Sequence, residues 1–265
     1  MLIKPLNLRA PRHIIDEEDG TPAPIPDIEV ELDTTEYDYV LVVPKTVGIL
    51  TESFSNGVKV GSISITYPKP EVQEPTEEYD EDVQLYNAVI EKVNAKKYPS
   101  LELDVMKHGS FITVTIPQFS NVITYNVLST VLVKVLRPQK SWLLIAPCSL
   151  NNNQTINKLV VHKSLVLPSL YDSIPFLQPP HSITGISGAV TSKLSLVQDS
   201  EAIILVLNSE GQSGFEISDN DSIVDAAYAV AELILQDLNQ REEYLKKVSS
   251  TVRKFNGFSN SGMYI

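Results

Sequence analysis

Residues 142–147, WLLIAP, and residues 202–208, AIILVLN, decide the fold. Both are strand-length apolar runs with almost no polar alternation. A strand with one wet face alternates with a period of two, whereas a strand covered on both faces loses that alternation and is typical of a parallel sheet. Helical patterns follow these runs. SITGISGAVTSKLSLV reads as a helix entered after Ser182 or Thr184, and SDNDSIVDAAYAVAELILQDL as one opened by Ser218 to Asp221 with an alanine-rich face. REEYLKKVSSTVRK makes a last helix, more basic towards its end as the helix dipole prefers. Strand and helix thus alternate through the second half, which predicts an α/β fold: a partly parallel mixed sheet with helices on its faces.

Working outward, NVITYNVLSTVLVKVLR is apolar at Val122, Ile123, Val127, Val131 and Val135, close to helical spacing, and Pro138 stops it. LVVHKSLVLPSLYDSIPFLQPP is broken by prolines and predicts no long regular element. In the first half, YVLVVP (39–44) and SISITY (62–67) read as strands. LELDV and FITVTIP read as a strand pair turning at Gly109. LYNAVIEKVNAKKYP is compatible with helix or strand, so residues 85–100 stay unassigned. Residues 1–36 and 68–84 are rich in acids and prolines and predict mobile surface segments, the second being a solvated loop or a binding arm for a basic partner. The expected organisation is a single α/β domain over residues 1–254 and a flexible tail over 255–265.

The 265 residues carry 33 Asp and Glu against 21 Lys and Arg, a net charge of −12. That balance argues against nucleic acid and against an anionic membrane surface as partner. A membrane span needs about 18 or more consecutive apolar residues, and no run approaches that length. MLIKPLNLRAPRH at the start lacks the basic-then-apolar order of a secretory signal. A single cysteine, Cys148, allows no internal disulfide and fits a reducing compartment. It reads either as a nucleophile at a strand end or, more simply, as a small buried hydrophobe.

Catalytic signatures are incomplete. GISG (185–188) and GQSG (211–214) place Ser187 and Ser213 between glycines, but with G-x-S-G spacing instead of the G-x-S-x-G of a nucleophile elbow. The simpler readings are close helix packing at Gly185 and Gly188, and a loop with positive φ at Gly211 and Gly214. Neither a Walker pattern nor G-x-G-x-x-G is present. His13, His108, His162 and His181 stand apart, with no pair at metal-ligand spacing. The residues therefore predict no enzyme, no cofactor and no metal, and favour a binding role.

The chain closes on SNSGMYI, three large apolar side chains after a stretch suited to flexible backbone. They either fold back onto the body or are buried by another molecule. Three stretches bear on this in order: LQPPHSITGISGAVTSKL from Leu177, LNSEGQSGFEISDNDSIVDAA from Leu207, and SGMYI. Together they resemble the fungal form of the proteasome assembly chaperone 1 family, within the wider paired proteasome assembly chaperones. The likeness is close over residues 175–265 and loose over the first half. The resemblance implies a fold similar to purine nucleoside phosphorylases without catalytic activity. It also implies a heterodimer with a sister subunit, proteasome assembly chaperone 2. That pair would bind the α ring of the 20S core particle in cytoplasm and nucleus, promote ring assembly and block premature docking of regulatory caps. Met263, Tyr264 and Ile265 match, position by position, the family's terminal HbYX pattern of a hydrophobic residue, Tyr and any residue, which docks in a pocket between α subunits. The competing reading, from a different class, is a nucleoside phosphorylase-like enzyme whose glycine loops bind phosphate or ribose.

Overall fold

The parallel pair of β6 (Ser141–Cys148) and β8 (Ala202–Glu210) lies inside the sheet, registered from Trp142 opposite Ala202 to Cys148 opposite Asn208. The computed structural model describes residues 23–33, 36–68, 98–162, 167–197, 200–211 and 216–261, and of 255–261 the backbone alone. β6 also pairs in parallel with β2 (Tyr39–Pro44), which pairs in parallel with β5 (Phe111–Ile116). Beyond β5 the sheet continues antiparallel through β4 (Leu101–His108), β3 (Val58–Thr66) and β1 (Asp27–Leu32). At the other edge β7 (Ile156–Val161) runs antiparallel to β8, and a short β9 (Ile217–Ser218) pairs with the end of β8. The order β1-β3-β4-β5-β2-β6-β8-β7 is the mixed α/β sheet expected from the two unalternating runs.

The central strands divide their side chains between two apolar layers, as the two-residue period requires. Val40, Val42, Leu144, Ala146, Ile204 and Val206 face α2 (Val122–Val135) and α4 (Gly185–Leu194). Leu41, Val43, Leu143, Ile145, Ile203 and Leu205 face the opposite layer. There α1 (Ile49–Glu52), α3 (Leu170–Ser173), α5 (Asn220–Ile234) and α6 (Leu238–Ser261) pack.

Three expectations change. Residues 27–32 form an edge strand where a loose acidic segment was expected. Ile28 turns inward while Asp27, Glu29 and Glu31 face water, so the acids sit on the wet face of a half-buried strand. β7 takes in only Leu159–Val161 of the proline-broken stretch, whose four prolines all lie downstream, and among the described residues no long regular element follows there, as expected. α2 forms as read and ends before Pro138, but it buries Thr124, Leu128, Ser129 and Leu132 and leaves Val122 76% exposed. Apolar residues all round the helix gave periodicity no face to select; hydroxyl bonds from Thr124 with Tyr67 (2.9 Å) and from Ser129 to the Asn126 carbonyl (2.9 Å) let the polar residues turn inward. Finally, the segment read as a flexible tether from residue 255 is helical in backbone to Ser261. Residues 69–97 lie outside the described residues, as do most of the first 36.

α6 is held near its start. Tyr244, Val248 and Val252, spaced by four, are buried against the sheet layer. Phe54 stacks on Tyr244 at 4.4 Å and meets Phe111 edge-on at 4.9 Å, with His108 at 5.2 Å. The Tyr244 hydroxyl donates to the Leu50 carbonyl at 3.1 Å, and burial pushes this phenol far above its ordinary range. The Arg241 guanidinium closes the α5–α6 corner by donating to the Glu232 carboxylate and the Leu235 carbonyl. At the other end of α5, Asp219 is the N-cap. It accepts from the Ser222 amide (2.7 Å) and from Asn208 Nδ2 (2.8 Å). Partial burial opposes its ionisation, but these bonds outweigh burial and hold the carboxyl below its ordinary value.

Tyr244→Ala is expected to cost about 3–5 kcal/mol by analogy with buried aromatic truncations, and Tyr244→Phe about 1 kcal/mol for the lost hydrogen bond, both read from urea denaturation. Asp219→Ala should cost about 1 kcal/mol at pH 7. Because the folded pKa of Asp219 lies below the unfolded one, its contribution is present above the ordinary aspartate value and lost as pH falls through the folded value. The gap between wild type and Asp219→Ala should therefore narrow in acid, and a gap equal at pH 7 and pH 3 would remove the charge from the cap's role.

Candidate functional site

In open α/β sheets, ligands usually sit beyond the carboxyl ends of the parallel strands. Here that end is nearly closed. The cavity between Pro44 of β2, Ile116 of β5, Pro147 of β6 and the start of α4 is about 40 Å³. That is room for about one water, against about 300 Å³ or more for a small-molecule site. It is also acidic. The Glu216 carboxylate lines it, is buried, and accepts from Thr184 Oγ1 at 3.2 Å beside the N-terminal end of α4, where a phosphate would otherwise be favoured. Among the described residues, the size of this cavity gives the nucleoside or phosphate reading no support.

The glycine-flanked serine of α4 is structural. Ser187 is buried and its Oγ donates to the Ile145 carbonyl of β6 at 2.5 Å, so the hydroxyl ties helix to sheet. Gly188 permits the close approach expected of it, since a Cβ there would stand 2.5 Å from the Ile183 carbonyl oxygen. Gly185 differs from expectation. A Cβ would meet nothing within 4 Å, and the residue is glycine because φ is +61° where the chain enters the helix. Gly211 has φ +123°, as read, while Ser213 and Gly214 lie outside the described residues.

Cys148 is buried with Sγ 3.3 Å from the Ser182 carbonyl oxygen, and burial pushes its thiol up, away from nucleophilic character. His108 belongs to the aromatic cluster under α6, and burial holds its imidazole below the ordinary value. His181 accepts from the Asn151 amide at 3.2 Å and pairs its other nitrogen with the Gln178 carbonyl at 2.8 Å. Among the described residues, no three His, Cys, Asp or Glu side chains converge as metal ligands.

Met263, Tyr264 and Ile265 lie outside the described residues. Described is the element that carries them: α6, clamped through Tyr244 and buried to Val252, continues in helical backbone for nine residues to Ser261, about 13 Å at 1.5 Å per residue. The spacing of Tyr244, Val248 and Val252 was a readable sign of this anchoring. The partnership of Tyr244 with Phe54, far earlier in the chain, was not, because it depends on where α1 leaves β2.

The fold has relatives among solved structures. An archaeal homolog of proteasome-assembly chaperone, PbaA from Pyrococcus furiosus in a monoclinic crystal form, aligns with a TM-score of 0.51 at 11% identity, covering 88% of this chain and 92% of that one. A second structure of PbaA gives 0.49 at 11% identity over 89% and 99%. PbaB of the same organism, an archaeal proteasome activator, gives 0.49 at 13% identity over 88% and 100%. At such identities the likeness establishes a shared fold only. No curated protein matches the chain in sequence. The family model described as POC1 chaperone, in contrast, matches all of residues 1–265, and the chain belongs to this family of proteasome assembly chaperones.

Proposed function

We propose that this chain is one half of a heterodimeric proteasome assembly chaperone. With a sister subunit, proteasome assembly chaperone 2, it binds the outer face of the 20S α ring, promotes assembly of that ring and blocks premature cap binding, in cytoplasm and nucleus. The family match over residues 1–265 carries this reading. In it, Met263, Tyr264 and Ile265 form the docking element. Tyr264 and its apolar neighbours enter a pocket between α subunits, and the Ile265 carboxylate pairs with a pocket lysine.

The helix under the tail sharpens the energetics. Burying three side chains yields about 5–8 kcal/mol, and the carboxylate pair adds about 1.5–3 kcal/mol. With the backbone already helical to Ser261, only about four residues need ordering, at about 4–8 kcal/mol. Those four add at most about 14 Å of reach. The tail alone then binds weakly, and contacts of the body or of the sister subunit supply the rest through effective concentration.

Deleting residues 263–265 is expected to leave the melting midpoint within about 1–2 °C, less than a loss of 1 kcal/mol would shift it, while attachment to core-particle intermediates falls at least tenfold in a pull-down. Tyr264→Ala should do most of the same damage. A one-residue extension beyond Ile265 should also impair docking, because it displaces the carboxylate and leaves all three side chains in place. A midpoint lowered by several degrees with attachment intact would instead make these residues part of the chain's own core.

A further inference from the structure

The opposite end of the sheet, at the amino ends of β2, β6 and β8, is open. A groove of about 1020 Å³ lies there between the carboxyl ends of α2 and α4, with the α2–β6 connection along one side. Four cations line it: Lys134, Arg137, Lys140 and Lys193. Glu201 also lines it, and Asp38 holds Lys140 at 2.8 Å. Among the described residues, Lys134, Arg137 and Lys193 make no ion pair. Beside them Leu196 is 80% and Val197 40% exposed.

Local structure accounts for part of this. Lysines in the last turns of α2 and α4 complement the helix dipoles, and Arg137 Nε donates to the Lys134 carbonyl at 3.3 Å. Helix ends do not require an unusually exposed leucine and a neighbouring valine inside the same ring of cations. Nor is a concentration of positive charge expected by chance in a chain of net charge −12. A concave surface with an apolar patch and a rim in which cations outnumber acids is the form of a peptide-docking site.

We propose that this groove docks an acidic segment of a partner protein, whose carboxylates meet Lys134, Arg137 and Lys193 while an apolar side chain rests on Leu196 and Val197. Charge complementarity selects the occupant. A separate molecule is the occupant favoured here, since the described residues that flank this chain's own acid-rich stretches stand at the opposite end of the sheet. β1 begins at Asp27 opposite Thr66, and β4 begins at Leu101 opposite Ile65, both at the carboxyl end of the parallel strands. The site is distinct from the chain's terminal residues and does not depend on them.

The test is fluorescence anisotropy with the full chain and a labelled decapeptide of nine glutamates around one phenylalanine. Saturable binding is expected, at least tenfold weaker for the glutamine counterpart and severalfold weaker when alanine replaces phenylalanine. Lys134→Glu with Lys193→Glu should weaken it at least tenfold, and Leu196→Ser severalfold, with little change in the melting curves, since Lys134 and Leu196 are exposed and Lys193 is half-buried. Should the double variant melt early, Lys193→Gln with Arg137→Gln gives the same reading with less electrostatic disruption. Absence of binding, binding indifferent to these substitutions, or equal binding of a ten-nucleotide thymidine strand would each overturn the proposal, the last by making the groove a general polyanion surface.

Discussion

Everything in this molecule follows from β2, β6 and β8 having no wet face. A strand whose successive side chains are all apolar must be covered on both sides, and such cover requires helices above and below. Val40 to Val43, Leu143 to Ile145 and Ala202 to Leu207 are essentially without solvent exposure. They impose the position of α2 and α4 on one face and of α5 and α6 on the other. Polar groups in those layers exist on condition of a partner, as with Ser187 on the Ile145 carbonyl and the Tyr171 hydroxyl on the Ala229 carbonyl at 2.8 Å.

The same constraint explains what was legible. An unalternating run announces itself in the sequence, so the central strands and the helices that must cover them were readable, as were the hairpin at Gly109 and the entry to α4 after Thr184. The edges were not. β1 hides its alternation among acids that are there because one face is wet, and β7 is short and stands just before a proline-rich stretch. Helix α2 concealed its buried face because contrast between faces, and not apolar content, is what periodicity measures. The helical backbone to Ser261 and the cation-rich groove depend on contacts between distant segments, which no local pattern encodes.

Fold and site separate clearly here. Related α/β sheets use the carboxyl ends of their strands for ligands, yet this chain narrows that crevice and places the Glu216 carboxylate in it. Among the described residues the wider opening lies instead at the amino ends of the strands, in the cation-lined groove. The architecture alone is compatible with many functions, and it is the family of proteasome assembly chaperones that separates this chain from them.

The clamp between Phe54 and Tyr244 has a kinetic side. Its hydroxyl contact joins residues 194 positions apart in the chain, so it forms only after a loop spanning most of the molecule has closed, and such closures come late in folding. Helix α6 is therefore the natural unit of partial opening. Lifting it breaks the aromatic stack and the burial of Val248 and Val252 while leaving the ladder from β1 to β7 paired. Amide protons of α6 would exchange through such an excursion well before those of β6 and β8, and during it the chain's end would be released from its fixed direction without the sheet unfolding.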